Sequence, residues 1–508
     1  MTTSISNAEA EARLPQTPEE ALSQTPASSA PAELVHTLAS RFIIVLLCVS
    51  VVLTALAYGT VHYWSLAVFE IGASALVLLW AVDAWRSRRL RLSRSLLQLP
   101  LVGLFLLGLF QLLPMGGGGD GTTGGALTVP PISSVSIDPY STRLALVQVA
   151  ALFIYFAAAL AFIDSPKRLR LVVRVVIVFG FLLAFMGLIQ YATSPGKIYW
   201  LKELPQSTPF GPFYNRHHFA GYMELTLALP LGLIFSGAVE RDKRPLYIFA
   251  AALMGIALIT TNSRGGLIAL VAEIAFLAAM GFGRREEKAR GGERTGRARA
   301  ALLRVGLGLG LVVALILGAL LFGGEAALNR IVGSVNSSDP TTGRAHFWAV
   351  TLDIIKDHPV VGTGLGSYGL AYTRYDSRNG LERLEQAHND YLQMMSDAGI
   401  IGMGLALIFV FFLFRKGFAR RESSDDFRRG VATGALAGCF AVLVHSFFDF
   451  TLHTTSNALL FLILVALATI NGRVEQPSTQ RRRRRRRRSI RQPTIPGVPE
   501  STMLPPSR

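Results

Sequence analysis

Four polar clusters interrupt an otherwise apolar chain, and their residue types suit the holding of an anion and the movement of a proton. They are Asn215-Arg216-His217-His218, Thr261-Asn262-Ser263-Arg264-Gly265-Gly266, Gly343-Arg344 with Trp348 one helical turn on, and Ala387-His388-Asn389-Asp390-Tyr391. Arg264 is the sharpest. An arginine between two apolar helices costs about 2.5–3.5 kcal/mol near a bilayer centre and less near its surface. The glycine pair after it permits a turn into a new helix, and a helix N-terminus beside a guanidinium is an anion site suited to phosphate. The bland alternative is a side chain that snorkels to the interface. Arg344 stands at a loop-to-helix entry after Asp339-Pro340-Thr341-Thr342-Gly343, where a solvated surface arginine is an equal reading.

His388 can take a proton near neutral pH, since a free imidazole titrates at about 6.5. A lone loop histidine is more often inert; its company of Asn389, Asp390 and two placed arginines argues for chemistry. Asp390 can orient the ring only if the backbone bends, because adjacent helix positions do not face each other. His217 and Glu224 are seven apart and share a helix face. His445, Asp449 and His453 recur at four-residue spacing, which would suit a proton path, a metal site or, preferably, a polar network tying helices together. Glu70 and Glu273 are further acids within apolar runs, expected to face the interior of a bundle. Gly362-Thr363-Gly364-Leu365-Gly366 superficially suggests a nucleotide loop, but no strand–helix–strand unit surrounds it, and it reads as a turn-rich connector.

The elements that must position these residues follow from composition. Of 508 residues, 51% are hydrophobic and 16% charged, where a soluble domain would carry about 25%. The apolar residues fall in blocks of roughly 17–25, each able to cross a hydrocarbon core of about 30 Å as a helix. The expected fold class is all-α, a polytopic membrane protein of about twelve transmembrane helices, near 41–59, 64–84, 95–113, 143–163, 171–193, 217–238, 246–262, 266–282, 301–322, 397–414, 431–449 and 457–471. With the N-terminus inside, every cytoplasmic connection should be basic. Arg86 to Arg94, Lys167 to Arg170, Arg241 to Arg244, Arg284 to Arg299, Arg415 to Arg429 and the final Arg-rich tail fit that rule, so all four polar clusters map outside.

The expected organisation is a disordered cytoplasmic tail over 1–38, nine helices over 39–322, a periplasmic catalytic loop over 323–396 carrying short helices, three helices over 397–471 and a basic disordered tail over 472–508. Segment 344–357 has helical apolar spacing within that loop, residues 384–396 look helical again, and Gly116–Gly119 reads as a flexible loop. The net charge of +17 lies mostly in short loops, and Arg481–Arg488 reads as a tail touching anionic lipid, so no nucleic-acid partner is expected. Cys48 and Cys439 lie inside apolar blocks and imply no disulfide and no metal.

The clusters together resemble the O-antigen ligase and O-antigen polymerase superfamily. The resemblance rests on Asn262-Ser263-Arg264-Gly265, Gly343-Arg344 with Trp348, His358-Pro359 followed by Gly362 to Tyr368, and Ala387-His388-Asn389-Asp390-Tyr391-Leu392. It covers roughly residues 210–415 by motif and most of the chain by topology. It implies a membrane glycosyltransferase of the bacterial inner membrane, both termini cytoplasmic and the site periplasmic. The enzyme would move a polyprenyl-diphosphate-linked glycan onto a lipid A core or polysaccharide acceptor, with no cofactor and no metal. By motif, Arg264 and Arg344 look like the family's diphosphate-holding arginines, with Arg216 as a supporting cation, and His388 like the histidine that serves the acceptor. Asn389, Asp390, His217 and Trp348 are expected to support them. Within the family, joining repeat units to one another (a polymerase) competes with joining a finished glycan to its acceptor (a ligase). A twelve-span transporter or flippase is the rival class, and it would show internal repeats that this chain lacks.

Overall fold

The computed structural model describes residues 36–114, 134–204, 207–282, 344–377, 384–470 and Val474. Among the described residues, helices form over the long apolar runs. They are α1 Leu38–Leu56, α2 Tyr63–Ser87, α3 Gln98–Gln111, α4 Pro139–Phe162, α5 Pro166–Thr193, α6 Arg216–Ser236, α7 Arg244–Thr260, α8 Arg264–Phe282, α9 Arg344–Asp357, α10 Tyr368–Tyr375, α11 Asp390–Arg420, α12 Asp426–His445 and α13 Thr455–Thr469. Seven of these are long and apolar enough to cross a membrane, and α3, α7 and α13 are shorter apolar helices. An all-helical chain was expected; a two-residue antiparallel hairpin, β1 Lys197–Ile198 with β2 Lys202–Glu203, is the only sheet among the described residues. The expected span 301–322, both tails, the basic loop 284–299, Gly116–Gly119 and Gly343 lie outside the described residues.

Most starts are capped as the sequence allows. Asn215 accepts from the His217 N–H, Asn389 from the N–H groups of Tyr391 and Leu392, and Asp425 from those of Phe427 and Arg428. Outer helices turn large apolar residues outward, among them Phe42, Trp85, Leu182, Phe249 and Leu407, as a lipid-facing surface requires. Helices α6 and α12 lie at the centre and pack closest. A Cβ at Gly232 or Gly434 would collide with the backbone of the other helix, so glycine permits this approach. This closeness matters because α6 carries His217 in its first turn, α12 ends at His445, and Glu224 of α6 reaches His445.

The connector over 362–366 completes a break in α11. The helix was expected to begin near 397; it begins at Asp390 and breaks at Gly399, where φ is 60° and ψ −162°. The carbonyls freed there are satisfied from outside. Thr363 N–H donates to the Ser396 carbonyl at 2.9 Å, and Gly364 N–H to that of Asp397 at 3.1 Å. Gln111 donates to the carbonyls of Val361 and Asp397 and accepts from Leu365 N–H. Gly362, Gly364 and Gly366 all have positive φ, which explains their recurrence. Beside this strap α9 and α10 share a small core of Val350, Ile354, Tyr368, Ala371, Tyr372 and Ala387. The helix expected over 344–357 is present; residues 384–389 are not helical.

Candidate active site

Asp449 is the hub. It sits in the turn after α12, 1% exposed, and three elements bring nitrogen atoms to it. His388 Nδ1 lies 3.2 Å from Oδ1, Arg344 Nη2 3.3 Å from Oδ2, and His217 Nδ1 3.7 Å from Oδ2. Burial alone would raise the carboxyl's pKa. The hydrogen bond to His388, with the nearby His217 ring and the Arg344 guanidinium, holds it instead far below the usual carboxylate range. Phe450 N–H also donates to Oδ1 at 2.9 Å. The nitrogen-bearing partners are not sealed: the side chains of Arg344, His388 and His217 are 22%, 25% and 20% exposed.

Of the sequence-derived residues, Arg344, His388 and His217 meet at Asp449, and most of the others are placed around them by local bonds. Arg344 opens α9 and also donates to the Phe448 carbonyl. Arg264 opens α8 at the surface, and the next residue packs on the same turn: a Cβ at Gly265 would come within 3.0 Å of the Phe448 Cβ. Arg216 precedes His217 at the start of α6. Trp348 Nε1–H donates to the Ala387 carbonyl at 3.1 Å, and Ala387 N–H to Gln393 Oε1 at 2.6 Å, which pins the residue before His388. His388 takes a φ of +51°, a left-handed conformation that costs a non-glycine residue about 1 kcal/mol or more and is kept where surroundings demand it. Its ring lies parallel to Phe347 and edge-on to Phe450. Asn389 caps α11 and donates to the Phe447 carbonyl at 3.1 Å.

Asp390 does not orient His388. Its carboxylate turns to Ser446 Oγ at 2.6 Å and His453 Nδ1 at 2.7 Å. The orienting role geometrically open to it falls to Asp449. The four-residue ladder also fails as a single face. Helix α12 stops at His445, and although Asp449 stays beside it, each member takes a different partner: His445 pairs with Glu224 at 2.8 Å, Asp449 with His388, and His453 with Asp390. The network reading of that ladder therefore fits better than a convergent one. His217 Nδ1 meets Ser263 Oγ at 2.7 Å, and Ser263 Oγ lies 3.5 Å from His445 Nε2. Asp449, Ser263 and Glu224 are thus part of the constellation; the repeat containing Asp449, the motif containing Ser263 and the seven-residue spacing of His217 and Glu224 pointed toward them.

His217, His445 and Asp449 also present atoms within 4.8 Å of one another and carry the donor types for a divalent metal. Each of those groups is committed elsewhere: His445 to Glu224, His217 to Ser263, and Asp449 to a guanidinium that would repel a dication. The arrangement suits an anion facing the arginines and a proton acceptor at the free edge of His388.

Residues 249–407 match the O-antigen ligase family model, a span that runs from α7 through Arg264, Arg344 and His388 into α11. No curated protein matches the chain.

Proposed function

Starting from membership of the O-antigen ligase superfamily, which the match over residues 249–407 supports, we propose that the chain is a glycosyltransferase acting on a polyprenyl-diphosphate-linked glycan. Arg344, Arg264 and Arg216 hold the diphosphate. Guanidiniums bind phosphate oxygens through a planar fork and neutralise the charge that grows as the leaving group departs, so fixed cations do the work of a metal. His388 is the base. Its Nδ1 is engaged by Asp449, which leaves Nε2 to take a proton from the acceptor hydroxyl.

The acceptor oxygen donates an electron pair to the anomeric carbon as that carbon's bond to the diphosphate oxygen breaks. The bonding pair leaves on the diphosphate, the proton goes to His388, and a single displacement inverts the anomeric configuration. The acceptor is a lipid A core or a growing polysaccharide. The reaction takes place on the periplasmic face of the inner membrane, where the donor's phosphates lie at the level of these arginines.

The observation that carries the proposal is the convergence of His388 and Arg344 on one buried carboxylate from elements far apart in sequence. His388→Ala should abolish transfer from defined lipid-linked repeat units by the purified protein while leaving it folded. Near-normal product from that variant would remove the base. Deletion of the gene should leave single repeats on lipid if the chain polymerises and long unattached glycans if it ligates.

A further inference from the structure

A second acid–base couple lies behind the site, and the transfer reaction as proposed leaves it unused. Glu224 of α6 and His445 of α12 are each 0% exposed and share a 2.8 Å hydrogen bond between Oε1 and Nδ1. From His445 Nε2 the path runs 3.5 Å to Ser263 Oγ, then 2.7 Å to His217 Nδ1. His217 Nδ1 lies 3.7 Å from Asp449 Oδ2, and Asp449 Oδ1 lies 3.2 Å from His388 Nδ1. Every member is an imidazole, a hydroxyl or a carboxyl, each able to accept a proton and release it again.

A third group argues that this is more than packing. Glu273 of α8 is 0% exposed, close enough to Glu224 for their charges to repel, and neither of its carboxyl oxygens has a hydrogen-bond partner among the described residues. Glu224 Oε2 likewise has none there. Two adjacent carboxylates cannot both be ionised in an apolar interior. Glu273 is therefore the neutral member, and Glu224, which has a histidine beside it, is the one that can change state. A purely structural link between α6 and α12 would not need carboxyl oxygens left without partners.

We propose that Glu224 and His445 form a buried proton-uptake couple for the transfer reaction, linked to His388 through Asp449, His217 and Ser263. This rests on the assignment of His388 as the base. When the acceptor hydroxyl has lost its proton to His388, the imidazolium gives up its Nδ1 proton to Asp449 Oδ1; Asp449 is too strong an acid to keep it, and its carboxyl turns to deliver that same proton to His217 Nδ1. The same Nδ1 proton then goes to Ser263 Oγ, the serine's own proton moves to His445 Nε2, and the Nδ1 proton of His445 goes to Glu224 Oε1. One proton enters at His388, one arrives on Glu224, and no redox partner is needed. His388 is thereby reset as a free base while product is still bound. Reversal after product leaves returns the proton to solvent at the partly exposed His217. The groups facing the couple are Asp449 and Asp390 around His445, His217 and His218 on α6, Arg344 on α9 and Glu273 on α8.

The test uses the full chain in detergent with a lipid-linked repeat-unit donor, reading kcat, KM, the pH profile and the rate in heavy water. Glu224→Gln keeps the shape but cannot take up the proton. It should lower kcat at least tenfold, leave KM for the donor within twofold and flatten the pH dependence of kcat. Ser263→Ala cuts the path without altering a buried charge and should lower kcat to the same degree, so the proposal stays testable if Glu224→Gln does not fold. Glu273→Gln, which replaces a neutral group by a neutral group, should stay within threefold of the parent. A Glu224→Gln enzyme with parental kcat and pH profile overturns the relay, and so does a Glu273→Gln enzyme as impaired as Glu224→Gln. His388→Ala separates the two readings. If it is inactive while Glu224→Gln is unimpaired, only the relay falls; if it is active, the base assignment falls and the relay with it.

Discussion

Both ends of the helical bundle bury arginines against carboxylates, yet only one is built to receive a ligand. At the end away from His388, Asp83, Asp164, Arg91 and Arg168 form a closed lattice. Arg91 spans Asp83 and Asp164 at 3.2 and 2.9 Å. Arg168 reaches Asp164 at 3.1 Å, the Phe162 carbonyl at 3.1 Å, and the carbonyl and hydroxyl of Ser40 at 3.1 and 2.7 Å. Nearby, Arg428 donates to the carbonyls of Leu467, Ala468 and Ile470 at the end of α13. These guanidiniums spend their donors on carbonyls that a helix end leaves unpaired and on acids that match them. At the other end, a single buried carboxylate is shared by one arginine and two histidines that remain partly open to solvent. A buried arginine therefore says little by itself; where its donors go separates a clamp from a binding site.

Mutation should sharpen that contrast. Arg168→Ala would leave Asp164 with Arg91 and His36 alone and would strip the Phe162 and Ser40 carbonyls of their donor, a loss approaching the about 3–5 kcal/mol of a broken buried pair. The expected outcome is a large fall in melting temperature and yield, with normal specific activity in whatever protein folds. Thermal unfolding beside a transfer assay measures both. Arg344→Lys is expected to do the reverse. A lysine keeps the charge but not the fork, so transfer should fall about 100-fold, roughly 2.7 kcal/mol, with little change in melting temperature. If both substitutions unfold the chain equally, the two ends are alike and Arg344 is a clamp.

The sequence made the helices and the polar outliers legible, because bilayer thickness sets the length of an apolar run and a cation inside one is conspicuous. Arg264 stands out in that way, Arg344 and His388 only through the motifs around them, and α9 follows its apolar spacing. The hub does not. Asp449 is 61 residues from His388 and 105 from Arg344, and its four-residue relation to His445 holds only while the helix continues. The helix ends at His445, and although the Asp449 N–H still bonds the His445 carbonyl, the groups that make Asp449 a hub reach it from other elements. The same cause misplaces Asp390. Adjacent to His388 in sequence, it turns into α11 and faces His453 across the bundle. Helical periodicity is legible within a helix and carries nothing across its end. The break at Gly399 was hidden for a related reason: the glycine strap that satisfies the freed carbonyls lies more than 30 residues away.

The Asp390–His453 pair gives the smallest of these effects and a distinctive pH signature. Desolvation opposes charge on His453, but its hydrogen bond to Asp390, the charge of Asp390 and that of Asp397 raise the imidazole pKa above its ordinary value. A raised folded-state pKa favours folding of the protonated form. The stabilisation is therefore complete below the unfolded value of about 6.5 and is lost as pH climbs through the higher folded value. Asp390→Asn should lower the melting temperature most near pH 6 and progressively less toward pH 9. Because the His453 side chain is 32% exposed, solvent screens the pair, and the pH-dependent part should be only a degree or two, ~2 °C. A deficit that is the same at every pH would mean that Asp390 acts through its bonds to Ser446 and the Leu452 backbone alone, which would make this corner a clamp like the one around Asp164.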